Sequence, residues 1–351
     1  GMDRLSNPLY REDLAAVCGS GLDWDGLDGA TVAVSGATGM VGAFLVDALM
    51  WKRRNDGLGV DVLALGRDEG KARSRLPYFG REGFAFEELD VAVPGSMPSR
   101  PADVVLHLAS TTHPRAYATN PIGTVASNVI GLSNLLEYAS ASDGEPRFVF
   151  ASSVEVYGEN RGDVERFAEG YCGYLDCNTL RAGYPESKRC GEALCQAYAA
   201  QRGLAVYVPR LPRTYGPTLL ASDTKAISQF IHKGVAGEDI VLKSEGTQTY
   251  SYLYVADVVG GMLHVLTACE PGVAYNLADE RSDVSLRDLA RTIADIAGTE
   301  VVFELPDAVE RAGYSTATRA MLDASRVRAT GWRARYGLRE GLERTIRILR
   351  G

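Results

Sequence analysis

The 351-residue chain lacks any apolar run approaching the roughly 18 residues that a membrane-crossing helix requires. Its N-terminus lacks the charged-then-apolar profile of a secretory signal, so the cytoplasm is the expected compartment. Gly1 ahead of Met2 reads as a tag remnant. Histidine is scarce, at four residues, and the six cysteines show two CxxxxC spacings but no CxxC. That excludes the usual zinc signatures and predicts reduced thiols, with no metal site. Positive charge is in deficit as well: 37 Lys and Arg against 45 Asp and Glu leave a net charge of −8. The short basic run "WKRRNDG" (51–57) suits a helix C-terminus, where cations meet the macrodipole favourably, and no patch suited to nucleic acid stands out. Internal repeats and low-complexity segments are also missing. What remains, 46% hydrophobic and 23% charged residues, is the composition of a globular protein long enough for two lobes.

The pattern along the chain is regular. Residues 8–19 read as a short amphipathic helix ended by Gly19, inside an N-terminal extension spanning 1–29. From Ala30, short apolar runs such as "TVAVSG", "VDVLALG", "ADVVLHLAS" and "RFVFASS" alternate with helical patterns. Continuous apolar strands between helices mark a parallel sheet buried on both faces, hence a doubly wound α/β domain over 30–216. Past Gly216-Pro217 the elements become shorter, which predicts a smaller α/β lobe over 217–351, interleaved at its edges with the first.

Two local constellations carry chemistry. "VAVSGATGMVGAFLVDAL" puts Gly36, Gly39 and Gly42 between the first strand and a long helix. Glycines there allow a tight turn and close approach of a pyrophosphate to the helix N-terminus, with Thr38 and Met40 on the same turn. In "GYPESKRCGEAL", Tyr184 and Lys188 stand four residues apart and share one helix face. A phenol with a pKa of about 10 is scarcely ionised at neutral pH; a neighbouring ammonium favours the phenolate and so prepares a general base.

The GxxGxxG spacing together with these residues resembles the short-chain dehydrogenase/reductase superfamily, which implies a Rossmann-type fold and a bound NAD or NADP. By that resemblance Asp90 and Val91 contact adenine, while Leu108, Ala109 and Ser110 follow His107 along the cofactor ribose. Asn128 matches the superfamily's helix Asn, Ser153 its catalytic Ser/Thr, and Tyr184 with Lys188 its Tyr-x-x-x-Lys pair. "RLPRTYGP", "VAYNLAD" and "MLDASRVRATGW" resemble segments of the extended branch, the NAD-dependent epimerase/dehydratase family acting on nucleotide sugars. The resemblance covers residues 30–335 and implies a nucleotide-sugar-like substrate and a homodimer formed on helices 122–141 and 184–202. The cofactor stays open: the family uses NAD, yet Gly66 and Arg67 stand where a ribose-binding acid is expected, and an Arg there suits the 2′-phosphate of NADP. Arg67 reads equally as a solvated residue paired with Asp68.

In that family Tyr184 would remove the sugar hydroxyl proton as hydride leaves the carbon, Ser153 would orient the hydroxyl, and Lys188 would hold the ribose and tune Tyr184. The fate of the keto sugar depends on further residues. In "FASSVEVYGE", Glu155 is retained but Val154 stands where 4,6-dehydratases of the family carry an acid, which argues against ordinary 4,6-dehydration. Glu155 reads as a base at a neighbouring carbon or as a strand-end carboxylate. "RAGYPESKRCGE", with Arg181, is worded most like the decarboxylase branch, yet Tyr250 occupies the place of that branch's substrate Arg. Arg213, where the family has Asn, offers a replacement cation for a substrate phosphate, or a simple partner for a carboxylate. His113 is a lesser candidate; Tyr157 and Tyr215 line the cleft or pack inside it. The expected activity is a nucleotide-sugar epimerase or related oxidoreductase. The alternatives are an NAD(P)-dependent reductase or dehydrogenase of a small carbonyl or alcohol, and a non-catalytic NAD(P)-binding regulator or scaffold.

Overall fold

The computed structural model describes residues 3–109, 118–305, 307 and 318–351. Strands β1 (Thr31–Ser35), β2 (Asp61–Gly66), β3 (Phe84–Glu88), β4 (Val104–His107), β5 (Arg147–Phe150), β6 (Ser152–Ser153) and β7 (Ala205–Leu211) come first. They are followed by β8 (Arg213–Tyr215), β9 (Ile240–Leu242), β10 (Thr249–Tyr254), β11 (Ala274–Asn276), β12 (Asp283–Ser285), β13 (Val301–Phe303) and β14 (Arg319–Ala320). The main sheet runs β11-β7-β5-β4-β1-β2-β3, with β6 also on β7, and its pairings are parallel. This is the doubly wound Rossmann-type sheet expected from the alternating runs. Strand order reverses between β1 and β4, so a crevice opens beyond the C-terminal ends of those strands. The apolar runs are buried as a two-sided sheet requires: Val32 to Val34, Leu63 to Leu65 and Phe148 to Phe150 are sealed from solvent.

The second lobe contains a sheet ordered β12-β10-β14, with β8 paired to β10, and a separate β9–β13 pair. The chain past 217 also returns to the first sheet. β11 forms its edge beside β7, and the helix Val255–Ala268 packs against β5 and β7. The change of rhythm at 216 is therefore a change in element length within an interwoven structure.

The N-terminal segment is built into the core. Asn7 accepts from Leu9 N (3.0 Å) and Tyr10 N (3.3 Å), capping the helix Pro8–Cys18, which Gly19 ends. Tyr10 and Leu14 are fully buried. Asp47, buried in the helix Met40–Asp56, accepts from Arg4 Nε (2.8 Å), Tyr78 (2.7 Å) and the Tyr10 hydroxyl. Asp13, equally buried, accepts from Arg344 Nε (2.7 Å) and the Tyr254 hydroxyl. Each carboxylate is solvated by protein donors in place of water, and the two ties pin the segment to both lobes.

One expected helix is not uniform. Residues 121–140 form Pro121–Ala126, a π-turn at Ser127–Gly131, then Leu132–Ser140. The widened turn carries Asn128, and such bulges recur at functional sites.

Candidate active site

At the end of β1, Gly36 turns with φ +67°, a conformation that disfavours side chains. A Cβ there would lie 2.7 Å from Ala109 N, and a Cβ on Gly42 would lie 2.1 Å from the Gly36 carbonyl oxygen. The turn is thus pressed against the following helix and β4. Gly39 begins the helix Met40–Asp56 with no side-chain cap, leaving its first N–H groups for an anion such as pyrophosphate. The residues present fit a dinucleotide.

Arg75, which sequence reasoning missed, braces this turn. It donates to the carbonyls of Thr38 (Nε, 2.9 Å), Gly39 (3.4 Å) and Thr218 (2.7 Å). Thr218 in turn donates to the Met40 carbonyl (2.8 Å). No local pattern announces a contact that spans 37 residues and one that spans 143.

The C-terminal end of β4 is set by Ser35. Its Oγ accepts from Leu108 N (3.0 Å) and Ala109 N (3.1 Å) and lies 2.7 Å from His107 Nδ1. Because two N–H groups already donate to that oxygen, its hydroxyl donates to Nδ1, which leaves the imidazole proton on Nε2. Burial, with nearby Lys188 adding to it, holds the His107 pKa down to about 3, so the ring is neutral. His107 therefore belongs to the wall. A serine at the end of the apolar run "TVAVSG" was the available signal. Ser110 and His113 lie outside the described residues. Asp90 is exposed and accepts from Ala92 N (3.0 Å), while Val91 is buried with its carbonyl held by Asn134 (2.8 Å). Arg67 is exposed; Asp68 forms no ion pair with it and caps the following helix through Lys71 N (3.1 Å).

Ser153, at the tip of β6, is buried and accepts from Glu155 N (3.1 Å), which orients it at the start of a single 3-10 turn. Tyr184 and Lys188 lie in the first two turns of the helix Gly183–Arg202, packed against that turn. Lys188 is 3% exposed and donates to the Ala151 carbonyl (2.8 Å). Its ammonium lies 4.9 Å from the Phe150 ring centroid and 5.6 Å from that of Tyr184. Burial lowers its pKa to about 8, against the opposing pull of Glu192. Asn128 donates to Ser187 Oγ (2.9 Å), and Ser187 donates to the Tyr184 carbonyl (2.8 Å), so the π-turn is tied to the helix Gly183–Arg202.

Glu155, Arg213 and Tyr250, distant in sequence, form one cluster. The Arg213 guanidinium lies 3.5 Å from the Tyr250 ring centroid and 4.0 Å from Glu155 Oε1, while its buried Nη1 has no protein partner. Arg213 thus has a carboxylate neighbour, as one of its two sequence readings expected. Arg181 is exposed and lines a groove with Tyr184 instead of joining this cluster. Tyr157 and Tyr215 are interior packing residues: Tyr157 stacks on Phe167 (4.9 Å) and bonds Arg210 (2.9 Å), and Tyr215 reaches the Leu338 carbonyl (3.3 Å). All six cysteines are free, and no cluster able to hold a metal occurs among the described residues.

The family model "NAD dependent epimerase/dehydratase family" matches residues 32–278. The chain belongs to the NAD-dependent epimerase/dehydratase family. A UDP-glucuronic acid decarboxylase 1 of Xenopus tropicalis is 32% identical over 323 residues, covering 91% of this chain and 72% of that protein. Among solved structures, a UDP-glucose 4-epimerase of Thermotoga maritima with UDP-glucose superposes with a TM-score of 0.76 at 22% identity, covering 91% of this chain and 98% of that one. A UDP-glucuronic acid 4-epimerase of Bacillus cereus, in complex with UDP-glucuronic acid and NAD, gives 0.74 at 20% identity over 91% of this chain and 98% of that one. At those identities the two structures speak for the fold. Family membership accounts for the glycine cradle, whose shape fits a dinucleotide.

Proposed function

We propose that this protein oxidises a nucleotide sugar at a ring carbon, forms a keto sugar and returns it as an epimer or related product. The observation that carries the reading is Lys188. An ammonium sealed from water, without a carboxylate ion pair among the described residues, costs stability, and a scaffold has no use for it beside a tyrosine ring. A nicotinamide dinucleotide held at the Gly36–Gly42 turn would supply hydride uptake and return. Tyr184 takes the sugar hydroxyl proton, and Ser153 orients that hydroxyl. Lys188 stays mostly protonated at neutral pH because its pKa is about 8, and its charge favours the tyrosinate. Asn128, through Ser187, holds the first turn of the helix in register.

The relatives' names make UDP-glucuronate the first substrate to offer, and the Arg213 guanidinium beside Glu155 gives an anionic substrate a cation to meet. Val154, buried and apolar, supplies no acid for 4,6-dehydration. Tyr250 in place of the decarboxylase arginine favours epimerisation over decarboxylation. Product analysis by nuclear magnetic resonance, after incubation with UDP-glucuronate or UDP-glucose and either cofactor, tests this. An epimer supports it; unchanged sugars with every pairing contradict it. Arg213→Ala is expected to weaken binding of UDP-glucuronate; unchanged affinity for every accepted nucleotide sugar contradicts the role given to Arg213.

A homodimer is part of the same proposal. Ile122 (83% exposed), Leu180 (66%), Val125 and Ile130 lie on helix faces around a groove of about 640 Å³, a surface suited to a second copy's matching helices.

A further inference from the structure

The glycine turn is held from behind. A trans peptide is flat, with its C=O and N–H pointing opposite ways, so a donor fixed on a carbonyl also aims the N–H that follows. Consecutive carbonyls of the turn are taken in this manner. Arg75 Nε donates to the Thr38 carbonyl (2.9 Å), Arg75 Nη2 to that of Gly39 (3.4 Å) and Thr218 Oγ1 to that of Met40 (2.8 Å). The N–H of the first of these peptides, on Gly39, closes the turn on the Gly36 carbonyl (3.1 Å). The next two, on Met40 and Val41, belong to the first turn of the helix Met40–Asp56, where no intrahelical acceptor exists. These are groups left for an anion, and Arg75 and Thr218 set their direction. Arg75 Nη2 also donates to the carbonyl of buried Thr218 (2.7 Å), so the two props lock each other.

Arg75 needs support of its own. It ends the helix Glu69–Arg75, which at seven residues is too short to keep its place by internal hydrogen bonds. The N-terminal segment supplies that support. Arg4 Nη2 donates to the Arg75 carbonyl (2.7 Å), one of those a helix end leaves open, while Arg4 Nε donates to Asp47 (2.8 Å) on the helix that starts at the turn. Tyr78, in the segment after the short helix, reaches the same carboxylate (2.7 Å). Arg4 precedes the residues matched by the family model, 32–278, so this hold comes from the chain's own extension. We propose that Arg75 and Thr218 are positioning residues for the cofactor diphosphate, and that the N-terminal segment, through Arg4, keeps Arg75 in place. Cofactor affinity then depends on a side chain far from the crevice in sequence.

The inference rests on the dinucleotide reading of the turn and leaves the sugar chemistry aside, so its test uses binding. NAD, NADP and 5′-ADP are titrated calorimetrically into cofactor-free protein, with urea unfolding of each variant alongside. Thr218→Val keeps the shape and the carbonyl but loses the bond to Met40; it should weaken every probe that the wild type binds by about three- to tenfold. Arg75→Ala should weaken them at least about tenfold, and Arg75→Lys, which keeps the charge but not the fork, should recover only part of that loss. Arg4→Lys keeps a cation for Asp47 and gives up the fork that also reaches Arg75; about threefold weaker binding is expected. A role in stability alone would shift the urea midpoints and leave these affinities unchanged. Wild-type affinity in folded Thr218→Val overturns the proposal, as does full recovery in Arg75→Lys, which would reduce Arg75 to a nearby charge. Wild-type affinity in Arg4→Lys overturns the part given to the N-terminal segment. A wild-type protein that binds none of the three probes takes the dinucleotide reading down with the proposal.

Discussion

Lys188→Met should make the cofactor-free protein more stable at neutral pH while abolishing turnover. A fall in the lysine pKa from 10.5 to about 8 corresponds to about 3 kcal/mol against the buried charged form. Methionine keeps an unbranched chain in the same space and removes that cost. It also leaves the Ala151 carbonyl without its 2.8 Å donor, a loss of about 1 kcal/mol, for a net gain of about 2 kcal/mol. The pH dependence follows from proton counting. Because the folded-state pKa lies below the unfolded one, the unfolded chain binds more protons between about pH 8 and 10.5, and wild-type stability from this group rises with pH across that window. The methionine variant lacks that rise, so its advantage is largest below about pH 8 and shrinks above it. Urea unfolding followed by circular dichroism, on both proteins at neutral and alkaline pH, measures the difference. A variant less stable than wild type at neutral pH, or a difference independent of pH, would refute the reasoning.

Other perturbations follow from the same contacts. Tyr184→Phe should lower kcat by roughly 10²–10⁴-fold with nucleotide-sugar affinity retained, as read by steady-state kinetics and calorimetry; a smaller loss would leave Tyr184 without the base role. Turnover should also fall as Lys188 loses its proton above about pH 8, and Glu192→Gln, which removes a charge that raises the Lys188 pKa, should move that alkaline limb to lower pH. Gly42→Ala drives a methyl group to 2.1 Å from the Gly36 carbonyl and should destroy cofactor retention, measured by the absorbance of the purified protein. Asp47→Ala strands Arg4, Tyr10 and Tyr78 and should destabilise the protein by about 3–5 kcal/mol in thermal and urea unfolding. Ile122→Glu should convert a dimer to a monomer in light scattering, and an unchanged mass would place the dimer surface elsewhere.

The parts legible in the sequence are those whose physics is local. Apolar runs such as "TVAVSG" must be buried on both faces, and Gly36, Gly39 and Gly42 declare a turn that only small residues fit. Tyr184 and Lys188 share a helix face by spacing alone. Contacts closed across the fold left little trace. Arg75 reads as one more helix-end cation until Thr38 and Thr218 meet it. The helix Pro8–Cys18 was readable, yet its place in the core depends on Asp13 reaching Tyr254 and Arg344, far along the chain. The π-turn at Asn128 was hidden because an extra residue in one helical turn barely changes the hydrophobic pattern. Arg213 and Tyr250 each depart from the family pattern in the sequence; the stack between them arises only from the pairing of β8 with β10.

The central claim is redox chemistry on a nucleotide sugar that is returned to its starting oxidation level. The measurement that meets it most directly is rapid mixing of cofactor-loaded protein with UDP-glucuronate while the absorbance of reduced nicotinamide is followed. The expected trace is a transient rise that decays as modified sugar nucleotide accumulates, and that is missing from Tyr184→Phe. A rise equal to the sugar consumed, released into solution and persisting, would contradict the internal cycle and identify a net dehydrogenase. No absorbance change with UDP-glucuronate or UDP-glucose, from protein shown to hold its cofactor, would contradict the claim itself.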